Sequence, residues 1–283
     1  YKINGLGLMI EPGRGGCKMQ NMEAGCQEPK KVLTIAGSDC SGGAGIQADI
    51  KTITVHRAYA MSVITALTAQ NTLGVRAIQE ATPQFVAQQM EAVFEDITPD
   101  AVKIGMTFNG PIIMTIALNL RRYQARNIVL DPVMIAESGG KLLQDDAQAA
   151  LVQYLLPLAD MVTPNLHEAG CLCGRDLQTE EDMVWAAEKI SELTPGAVLI
   201  KGGHLAGDTA SDLLYCQGQS FWFKSQRVNN PNSHGTGCTL SSAIACQLAQ
   251  GAPPAKAVYK AKQFLLRALK ANLDIGHGKG PLN

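Results

Sequence analysis

The stretch V-L-T-I-A-G-S-D-C-S-G-G-A-G-I-Q-A-D-I, residues 32–50, combines a candidate strand, a glycine-rich turn and the start of a candidate helix. Residues 32–36 are the β-branched and apolar residues of a buried strand, and residues 45–57 can form a helix. The next apolar run, residues 62–67, has the composition of a second strand. The stretch therefore predicts a β-α-β unit, in which two parallel strands lie side by side under a helix.

The same alternation of short apolar runs and helical segments continues to the C-terminus. Repeated β-α-β units predict an α/β fold in which helices cover both faces of a mostly parallel sheet. Residues 212–216 and 219–223 flank Gly218, so we expect an antiparallel hairpin at one edge. The other predicted elements are strands at 101–104, 128–130, 161–162 and 198–200 and helices near 86–94, 112–124, 146–156, 180–193, 235–250 and 254–272.

The composition is that of a folded protein with a substantial core. Of the 283 residues, 46% are hydrophobic and 17% are charged, and the formal net charge is −1. This balance argues against a nucleic-acid or anionic-membrane partner, and no apolar run reaches the roughly 18 residues of a membrane span. We therefore expect no nucleic-acid or membrane partner, and the irregularly spaced cysteines indicate reduced thiols in a cytoplasmic protein.

The cysteines and the first residues carry little functional signal. Eight cysteines without regular spacing predict reduced thiols rather than a disulfide framework. Cys171 and Cys173 are separated by one residue, which is fewer than the usual spacing of about two to four in zinc sites. Residues 1–28 have no clear period and no recognisable signal peptide, so we interpret them as a flexible or non-native extension. The folded domain is expected to span residues 29–283.

A glycine-rich segment, G-S-D-C-S-G-G-A-G at 37–45, follows the first predicted strand and opens a helix. Glycines allow the backbone to approach a ligand, and a helix N-terminus favours negative charge. The segment fits neither a Walker A loop nor the dinucleotide pattern G-x-G-x-x-G. Taken alone, it is equally consistent with a plain tight turn.

Polar residues follow three other predicted strands. Asp131 follows the strand at 128–130, and Lys201 follows the strand at 198–200. Asn165 and Glu168 stand three residues apart at a helix start, so both side chains can face one site, although either alone would fit a helix cap. Lys201 alone could be an ordinary surface lysine. Because ligands of parallel sheets bind beyond the carboxyl ends of the strands, we expect these side chains to share one site.

The segment N-S-H-G-T-G-C-T, residues 232–239, precedes another predicted helix. The backbone N–H groups of residues 235–238 would form a cradle for a phosphate. A cysteine at a helix start has a lowered thiol pKa, from about 8.5 toward 7 or below, so we expect Cys238 to be a usable proton acceptor. The thiol could instead serve only as a steric and polar contact.

Seven motifs occur in one order along the chain, namely GSDCSGGAGIQAD (37–49), ITALTAQNTLGV (64–75), KIGM (103–106), VLDPVM (129–134), TPNLHEA (163–169), KGGH (201–204) and HGTGC (234–238). Together they closely resemble the bacterial hydroxymethylpyrimidine/phosphomethylpyrimidine kinases of thiamine biosynthesis, members of the ribokinase-like superfamily. With the terminal segment 276–281, the resemblance covers nearly the whole chain after residue 30.

This resemblance implies a three-layer α/β/α ribokinase-like fold and a two-step kinase. Such an enzyme uses ATP and Mg²⁺ to phosphorylate the hydroxymethyl group of 4-amino-5-hydroxymethyl-2-methylpyrimidine (HMP), and then phosphorylates the resulting monophosphate. Family members are commonly homodimers, so the resemblance implies a homodimer as well.

The matching motifs also imply roles for individual residues. The implied substrate contacts are Gly37, Asp49, Gln70, Met106 and Val133. The amide of Gln70 suits this role because it offers a donor and an acceptor that match the ring nitrogen and the exocyclic amine of HMP. The implied anion hole is Gly235, Thr236, Gly237 and Cys238, with Cys238 next to the attacking hydroxyl. The implied ATP and phosphate ligands are Asp131, Asn165, Glu168 and Lys201, of which Asp131 and Glu168 would organise Mg²⁺, directly or through water.

One position departs from the family pattern. After Val-Met the family often has Ala-Lys-Ser/Gly-Gly, whereas residues 136–140 of this chain read A-E-S-G-G. If the family lysine neutralises ATP phosphates, Glu137 replaces a positive charge by a negative one, and Lys141 could compensate. The property that this substitution affects is ATP affinity rather than the fold.

Three other interpretations compete with the pyrimidine kinase. Some pyridoxal kinases carry the same H-G-T-G-C loop and act on a flat heteroaromatic alcohol, but Gln70 favours the aminopyrimidine. A binding protein that has lost catalysis is disfavoured by the intact polar residues at the strand ends. A redox role for Cys238 is disfavoured because no resolving cysteine lies nearby in the sequence.

Overall fold

A computed structural model describes residues 28–134, 147–203, 205 and 207–282. The predicted extension lies outside this part of the chain, apart from Glu28. Glu137, Lys141 and His204 lie outside it as well, so the predictions about the extension and about these residues stay untested. The described residues form one nine-stranded sheet flanked by helices. Among these helices, none combines the length and the apolar character that crossing a membrane requires.

The sheet is parallel in its centre and antiparallel at both edges. Its strands are β1 (Lys31–Asp39), β2 (Tyr59–Asn71), β3 (Gly74–Glu80), β4 (Ala101–Ile104), β5 (Ile128–Leu130), β6 (Met161–Val162), β7 (Ala197–Ile200), β8 (Thr209–Cys216) and β9 (Gln219–Gln226). They lie in the order β3-β2-β1-β4-β5-β6-β7-β8-β9. The pairings from β2 to β7 are parallel, whereas β3 pairs with β2, β8 with β7 and β9 with β8 in antiparallel fashion.

The helices occupy the crossovers between the parallel strands and the C-terminal part of the chain. They are α1 (Gly45–Val55), α2 (Pro83–Phe94), α3 (Gly110–Arg122), α4 (Ala147–Ala150), α5 (Leu166–Cys173), α6 (Glu180–Ser191), α7 (Thr236–Ala249) and α8 (Pro254–Lys270). Helix α4 continues as a π-helical turn and a short 3-10 turn up to Leu158. Several helices begin at a residue whose side chain caps the first turn. At the start of α2, for example, the Thr82 hydroxyl accepts a hydrogen bond from the amide of Phe85.

Alternation along the buried strands creates two cores, one on each face of the sheet. In β1, Leu33 and Ile35 pack with α2 and α3, while Val32 points to the opposite face, which is covered by α1, α7 and α8. Strand β7 behaves in the same way, since Val198 packs with α5 and α6 and Leu199 with α7 and α8. Burying each such side chain contributes roughly 1.5–3 kcal/mol, so the three layers hold together by apolar burial. The predicted three-layer α/β/α fold is confirmed.

The edges of the sheet show where sequence patterns succeed and fail. The predicted hairpin is confirmed as β8 and β9, joined by Gln217 and Gly218, whose φ angles of 51° and 74° suit a tight hairpin turn. Strand β3 was not predicted, and β2 extends to Asn71 to pair with it. The reason is that β3 is half-buried or exposed along its whole length, so it has no buried apolar run to detect.

Candidate active site

Helix α7 begins at the edge of the sheet where the parallel strands end, and its first turn packs on the glycine-rich segment after β1. Gly235 precedes the helix with a φ angle of 88°, and a Cβ atom at this position would collide with the carbonyl oxygen of Gly43. Both the left-handed backbone and the close approach therefore require glycine here. The two glycine-rich segments that the sequence singled out form one continuous surface.

The first turn of α7 leaves backbone N–H groups for a ligand. Thr236, Gly237 and Cys238 occupy the first three helical positions, where an amide has no acceptor within the helix. The amide of Thr236 donates to the carbonyl oxygen of Ser233 at 3.1 Å, so the amides of Gly237 and Cys238 are the ones that face a ligand. A Cβ atom on Gly237 would lie 3.4 Å from both Oδ2 of Asp131 and Nζ of Lys201, so the backbone approaches these charges closely. The predicted anion cradle thus lies beside the predicted phosphate ligands.

Asp131 follows β5 and lies at the base of the site, where it is 1% exposed. Its Oδ1 accepts hydrogen bonds from Nζ of Lys201 at 2.7 Å and from the hydroxyl of Thr163 at 3.1 Å, and Oδ2 accepts one from Ser241 at 3.3 Å. Burial pushes the pKa of Asp131 upward, but the ammonium groups of Lys201 and Lys103 hold it below its usual range. Asp131 is therefore an anion that fixes Lys201 at the helix start.

Glu168 and Asn165 form a capping box at the start of α5. The side chain of Asn165 accepts from the amide of Glu168 at 2.8 Å, and Glu168 accepts from the amide of Asn165 at 2.7 Å. The helix-cap alternative is therefore realised, and the ATP role of Asn165 stays a prediction. Glu168 also lies 3.8 Å from Nζ of Lys201. Burial raises the pKa of Glu168 to about 7, helped by the nearby Asp131 and opposed by Lys201.

Cys238 is partly exposed at the third position of α7, next to the cradle. The expectation of a lowered thiol pKa is wrong: burial raises the pKa of Cys238 to about 11. The carboxylates of Asp49 and Asp131 raise it further, while Lys103 and the amide of Gly45 act in the opposite direction. In this environment the thiol is protonated at neutral pH, because desolvation outweighs the helix start.

Lys103 and Asp49 form a fully buried ion pair beneath the site. Both side chains are 0% exposed, and Nζ of Lys103 donates to the two carboxylate oxygens at 2.8 and 2.9 Å. The hydroxyls of Thr34 and Ser242 donate to the same carboxylate at 2.6 and 2.8 Å. Asp49 is thus held by four internal hydrogen bonds, and its predicted contact with the substrate stays a prediction.

Three of the predicted substrate contacts converge on a small apolar cluster. Met106 is 7% exposed and packs against Ala66, with the half-buried Val133 beside them. A Cβ atom on Gly37 would lie 2.8 Å from the sulfur of Met106, so glycine leaves room for that side chain. These residues come from the ends of β1, β4 and β5, as the rule for parallel sheets predicts. They form one apolar wall suited to the face of an aromatic ring.

Gln70 lies near the end of β2 and connects to the loop before α7. Its side chain contacts the hydroxyl of Thr68 at 3.1 Å and Nε2 of His234 at 3.3 Å. Nε2 of His234 also lies 2.9 Å from Oδ2 of Asp39 in the glycine-rich segment. The candidate substrate amide is therefore tied to both glycine-rich segments.

Several residues with contacts in the site were not assigned a role from the sequence. Lys103 is the clearest case, because a lysine inside the apolar strand A-V-K-I signals a buried partner. Asp39 and His234 stood inside motifs whose predicted roles were given to other residues. Thr163 and Ser241, which hold Asp131, gave no signal, since hydroxyl residues are common at strand ends and in helices.

Comparison with known proteins gives consistent family similarities. A model of the phosphomethylpyrimidine kinase family matches residues 39–283. A hydroxymethylpyrimidine/phosphomethylpyrimidine kinase of Rhizobium meliloti is 50% identical over 255 residues, covering 89% of this chain and 96% of the relative. The thiamine biosynthesis bifunctional protein ThiED of Geobacter sulfurreducens is 47% identical over 252 residues. That match covers 89% of this chain but 51% of the relative, so the chain spans about half the length of this bifunctional protein.

Two solved structures share the fold. A phosphomethylpyrimidine kinase of Clostridium difficile 630 is 46% identical with a TM-score of 0.76, and the match covers 84% of this chain and 99% of that one. A pyridoxal kinase of Bacillus subtilis, solved as an ADP complex, is 37% identical with a TM-score of 0.83, and the match covers 90% and 97% of the two chains.

Proposed function

The chain belongs to the phosphomethylpyrimidine kinase family, and from this premise we propose that it transfers phosphoryl groups from ATP to HMP and then to HMP phosphate. These substrates are the ones named for its relatives, and we propose that this chain acts on the same compounds. The observation that carries it is the convergence of Asp131, Lys201 and the first turn of α7 at one edge of the sheet. Phosphoryl transfer needs such a site, because it depends mainly on positioning and on charge stabilisation.

Each charged group has a task in this proposal. The amides of Gly237 and Cys238 would bind the transferred phosphoryl group, since a helix start offers donors and a favourable dipole. Lys201 would neutralise phosphate charge, and Asp131 would hold it in place through the 2.7 Å hydrogen bond. Cys238 would lie next to the attacking hydroxyl, and its thiolate form, a small fraction at neutral pH, would take the hydroxyl proton late in the transfer. A small thiolate fraction suffices for this step because little proton transfer is needed early in a loose transition state.

Mg²⁺ fits the donor set beside the cradle. This ion prefers oxygen ligands and usually takes one or two carboxylates together with phosphate oxygens. Asp131 and Glu168 supply two carboxylates close to Lys201. Within the described residues no group of three or more His, Cys, Asp or Glu side chains could hold a metal alone, which suits an ion shared with a nucleotide. When bound, Mg²⁺ would neutralise charge on the β- and γ-phosphate oxygens.

The pocket for the ring would be formed by Gly37, Met106 and Val133 on one side and Gln70 on the other. The apolar wall suits the face of a heteroaromatic ring, and the carboxamide suits its polar edge. HMP has an exocyclic amine beside a ring nitrogen, which matches the donor and acceptor of a carboxamide. This correspondence supports the aminopyrimidine over other ring alcohols.

Pyridoxal is the second candidate substrate, because a pyridoxal kinase shares 37% identity and a TM-score of 0.83 with this chain. The deciding experiment measures ATP consumption with HMP, HMP phosphate and pyridoxal at equal concentrations and identifies the products. Turnover of both pyrimidines, ending in the diphosphate, is the expected result. Strong turnover of pyridoxal with little HMP activity would overturn the proposal and move the enzyme to vitamin B6 salvage.

We also propose that the protein is a homodimer. The β2–β3 hairpin exposes apolar side chains at the sheet edge, and Leu67 and Leu73 are 53% and 63% exposed there. A second copy could cover this surface, because several exposed apolar side chains on one element often mark a protein–protein interface, whereas a single one does not. Light scattering coupled to size exclusion should give twice the chain mass of 30.1 kDa, and the mass of one chain would contradict the proposal.

A further inference from the structure

His234 lies where the two glycine-rich segments meet, immediately before Gly235. Its side chain is 10% exposed. One atom of the ring, Nε2, is 2.9 Å from Oδ2 of Asp39 and 3.3 Å from Nε2 of Gln70. A single ring nitrogen therefore contacts a carboxylate and a carboxamide at the same time.

Asp39 accepts a hydrogen bond at each of its other contacts. Its Oδ1 accepts from the amide and the hydroxyl of Ser41 at 2.9 and 2.7 Å, and Oδ2 accepts from the amides of Gly43 and Ala44 at 3.1 and 2.9 Å. Burial acts to raise the pKa of Asp39, but hydrogen bonds from His234 and Ser41 lower it to about 2. An ionised carboxylate has no proton to donate, so Nε2 of His234 must be the donor.

A donating imidazole determines which end of the Gln70 carboxamide faces it. The N–H of His234 can be shared with an acceptor, and the acceptor of a carboxamide is its oxygen. The opposite end lies 3.1 Å from the hydroxyl of Thr68, which is 3.0 Å from the carbonyl oxygen of Ser38. The structure sets Oε1 of Gln70 toward this hydroxyl and Nε2 toward the imidazole. In the exchanged orientation the single hydroxyl proton goes to the Ser38 carbonyl, and Thr68 accepts from the carboxamide. Because the two ends are nearly equal in size, their partners decide the orientation.

We propose that His234, held by Asp39, is a positioning residue that fixes the Gln70 carboxamide with its oxygen toward the imidazole and its nitrogen toward Thr68. In this orientation every donor in the chain from Asp39 to Ser38 has an acceptor. The reversed orientation would place the carboxamide N–H₂ against the imidazole N–H and leave Thr68 with two acceptors for one proton.

The inference rests on the proposed function, because Gln70 matters for specificity only if it contacts the substrate. A fixed carboxamide presents its remaining lone pair on the His234 side and its remaining N–H on the Thr68 side. An aminopyrimidine edge has one donor next to one acceptor, so it matches this carboxamide in only one orientation of the ring. His234 would thus select the ring orientation that brings the hydroxymethyl group to the phosphate cradle.

Substitutions of His234 test the inference in the intact enzyme. His234→Leu removes the donor, and we expect the KM for HMP to rise by about tenfold or more because the carboxamide loses its fixed orientation. His234→Gln can return an N–H near the Nε2 position, and it should bring the KM for HMP back to within about threefold of the wild type. The KM for ATP should change by less than about twofold in both variants, since the amides of the cradle remain.

Ser41→Ala is the matched control. It removes the 2.7 Å hydroxyl hydrogen bond to Oδ1 of Asp39 but leaves Oδ2, the oxygen that His234 contacts, with its partners unchanged. This variant should keep the wild-type KM for HMP. The inference is overturned if His234→Leu keeps that KM, if the KM for ATP rises as much as that for HMP, or if Ser41→Ala reproduces the effect. Each of the last two results would mean that His234 only supports the loop.

A measurement on the wild-type protein tests the hydrogen bonds without relying on a variant that folds. In a spectrum of protein labelled with ¹⁵N-histidine, assigned by comparison with His234→Gln, the His234 resonance should show a proton on Nε2. A proton on Nδ1 alone would overturn the inference whatever the kinetics. Failure of the proposed function is distinguishable, since it would appear as absent HMP turnover in the wild type while the Nε2 proton is still observed.

Discussion

Replacing Lys103 by methionine should destabilise the fold by about 3–5 kcal/mol, because it leaves a buried carboxylate without its counter-ion. The ammonium of Lys103 donates to both oxygens of Asp49, at 2.8 and 2.9 Å, and neither side chain is exposed to solvent. Burial alone would lower the pKa of Lys103, yet the adjacent carboxylate raises it above its usual range. The pair is therefore ionised, and each charge depends on the other.

The magnitude follows from what remains after the substitution. Asp49 would keep the hydroxyl hydrogen bonds from Thr34 and Ser242, at 2.6 and 2.8 Å, but no positive charge at hydrogen-bond distance. Hydrogen bonds from neutral hydroxyls recover only part of the desolvation cost of a carboxylate. Asp49→Asn should be destabilising to a similar degree, because it leaves the Lys103 ammonium unpaired.

The double variant Lys103→Met with Asp49→Asn tests the reasoning. It removes both charges and keeps an amide oxygen that can accept from the two hydroxyls, so it should cost less than the sum of the single variants by about 2 kcal/mol or more. Urea unfolding followed by circular dichroism would measure all three. The buried ion pair would be refuted if the losses in the free energy of unfolding were additive, or if each single variant lost less than about 1 kcal/mol of it. If Asp49 also contacts HMP, Asp49→Asn should raise the KM for HMP and Lys103→Met should not.

Three further predictions concern the site. Cys238→Ala should lower kcat by about tenfold or more and leave HMP binding largely intact, because the thiol lies beside the proposed attacking hydroxyl. As burial raises the pKa of Cys238 to about 11, the wild-type kcat should rise from about pH 7 to 10, and the variant should lack this slope. Steady-state kinetics checks both points, and wild-type turnover in the variant would exclude the base role. Gln70→Leu should weaken HMP binding by about 1–3 kcal/mol, and unchanged affinity by calorimetry would remove Gln70 from the pocket. Glu168→Gln should alter the pH dependence of stability.

The direction of the Glu168 effect follows from its raised pKa. Burial raises the pKa of Glu168 from 4.5 to about 7, so the folded chain holds a proton that the unfolded chain releases between these values. The contribution of Glu168 to stability is therefore largest below pH 4.5 and declines as the pH rises toward 7. Glutamine cannot ionise and can still complete the capping box with Asn165. The wild type should thus lose stability relative to Glu168→Gln between about pH 5 and 7 in urea titrations, whereas parallel pH profiles would contradict the raised pKa.

The fold was predictable from sequence to the extent that its elements are buried. Strands such as β4 and β7 are buried at every position, and a short apolar run between helical segments identifies them without further context. Strand β3 could not be identified from such a run, because its stability comes from pairing with β2 rather than from burial of its own face. Edge strands of this kind depend on tertiary context more than on their sequence.

The site was predictable in its outline but not in its charge pairs. The topology of a parallel sheet brings strand ends together, so Asp131 and Lys201 could be assigned to one site from their positions alone. The partner of each charged side chain could not be predicted in this way, because the partners are far apart in the sequence. Lys103 lies 54 residues from Asp49, and His234 lies 195 residues from Asp39. A buried lysine signals that a partner exists, but only the folded chain shows which carboxylate it is.

The thiol of Cys238 shows why a local rule can give the wrong sign. A helix start stabilises a negative charge by about 0.3–1 kcal/mol in exposed sites, which is less than one pKa unit. Burial can raise the pKa of an acid by up to about 3–5 units, and here two carboxylates, those of Asp49 and Asp131, act in the same direction. The larger effect decides, so only a small fraction of the thiol is ionised near neutral pH. In the proposed phosphoryl transfer, catalysis would then rely chiefly on the cradle amides and Lys201, because a protonated thiol places no competing anion at the third position of α7.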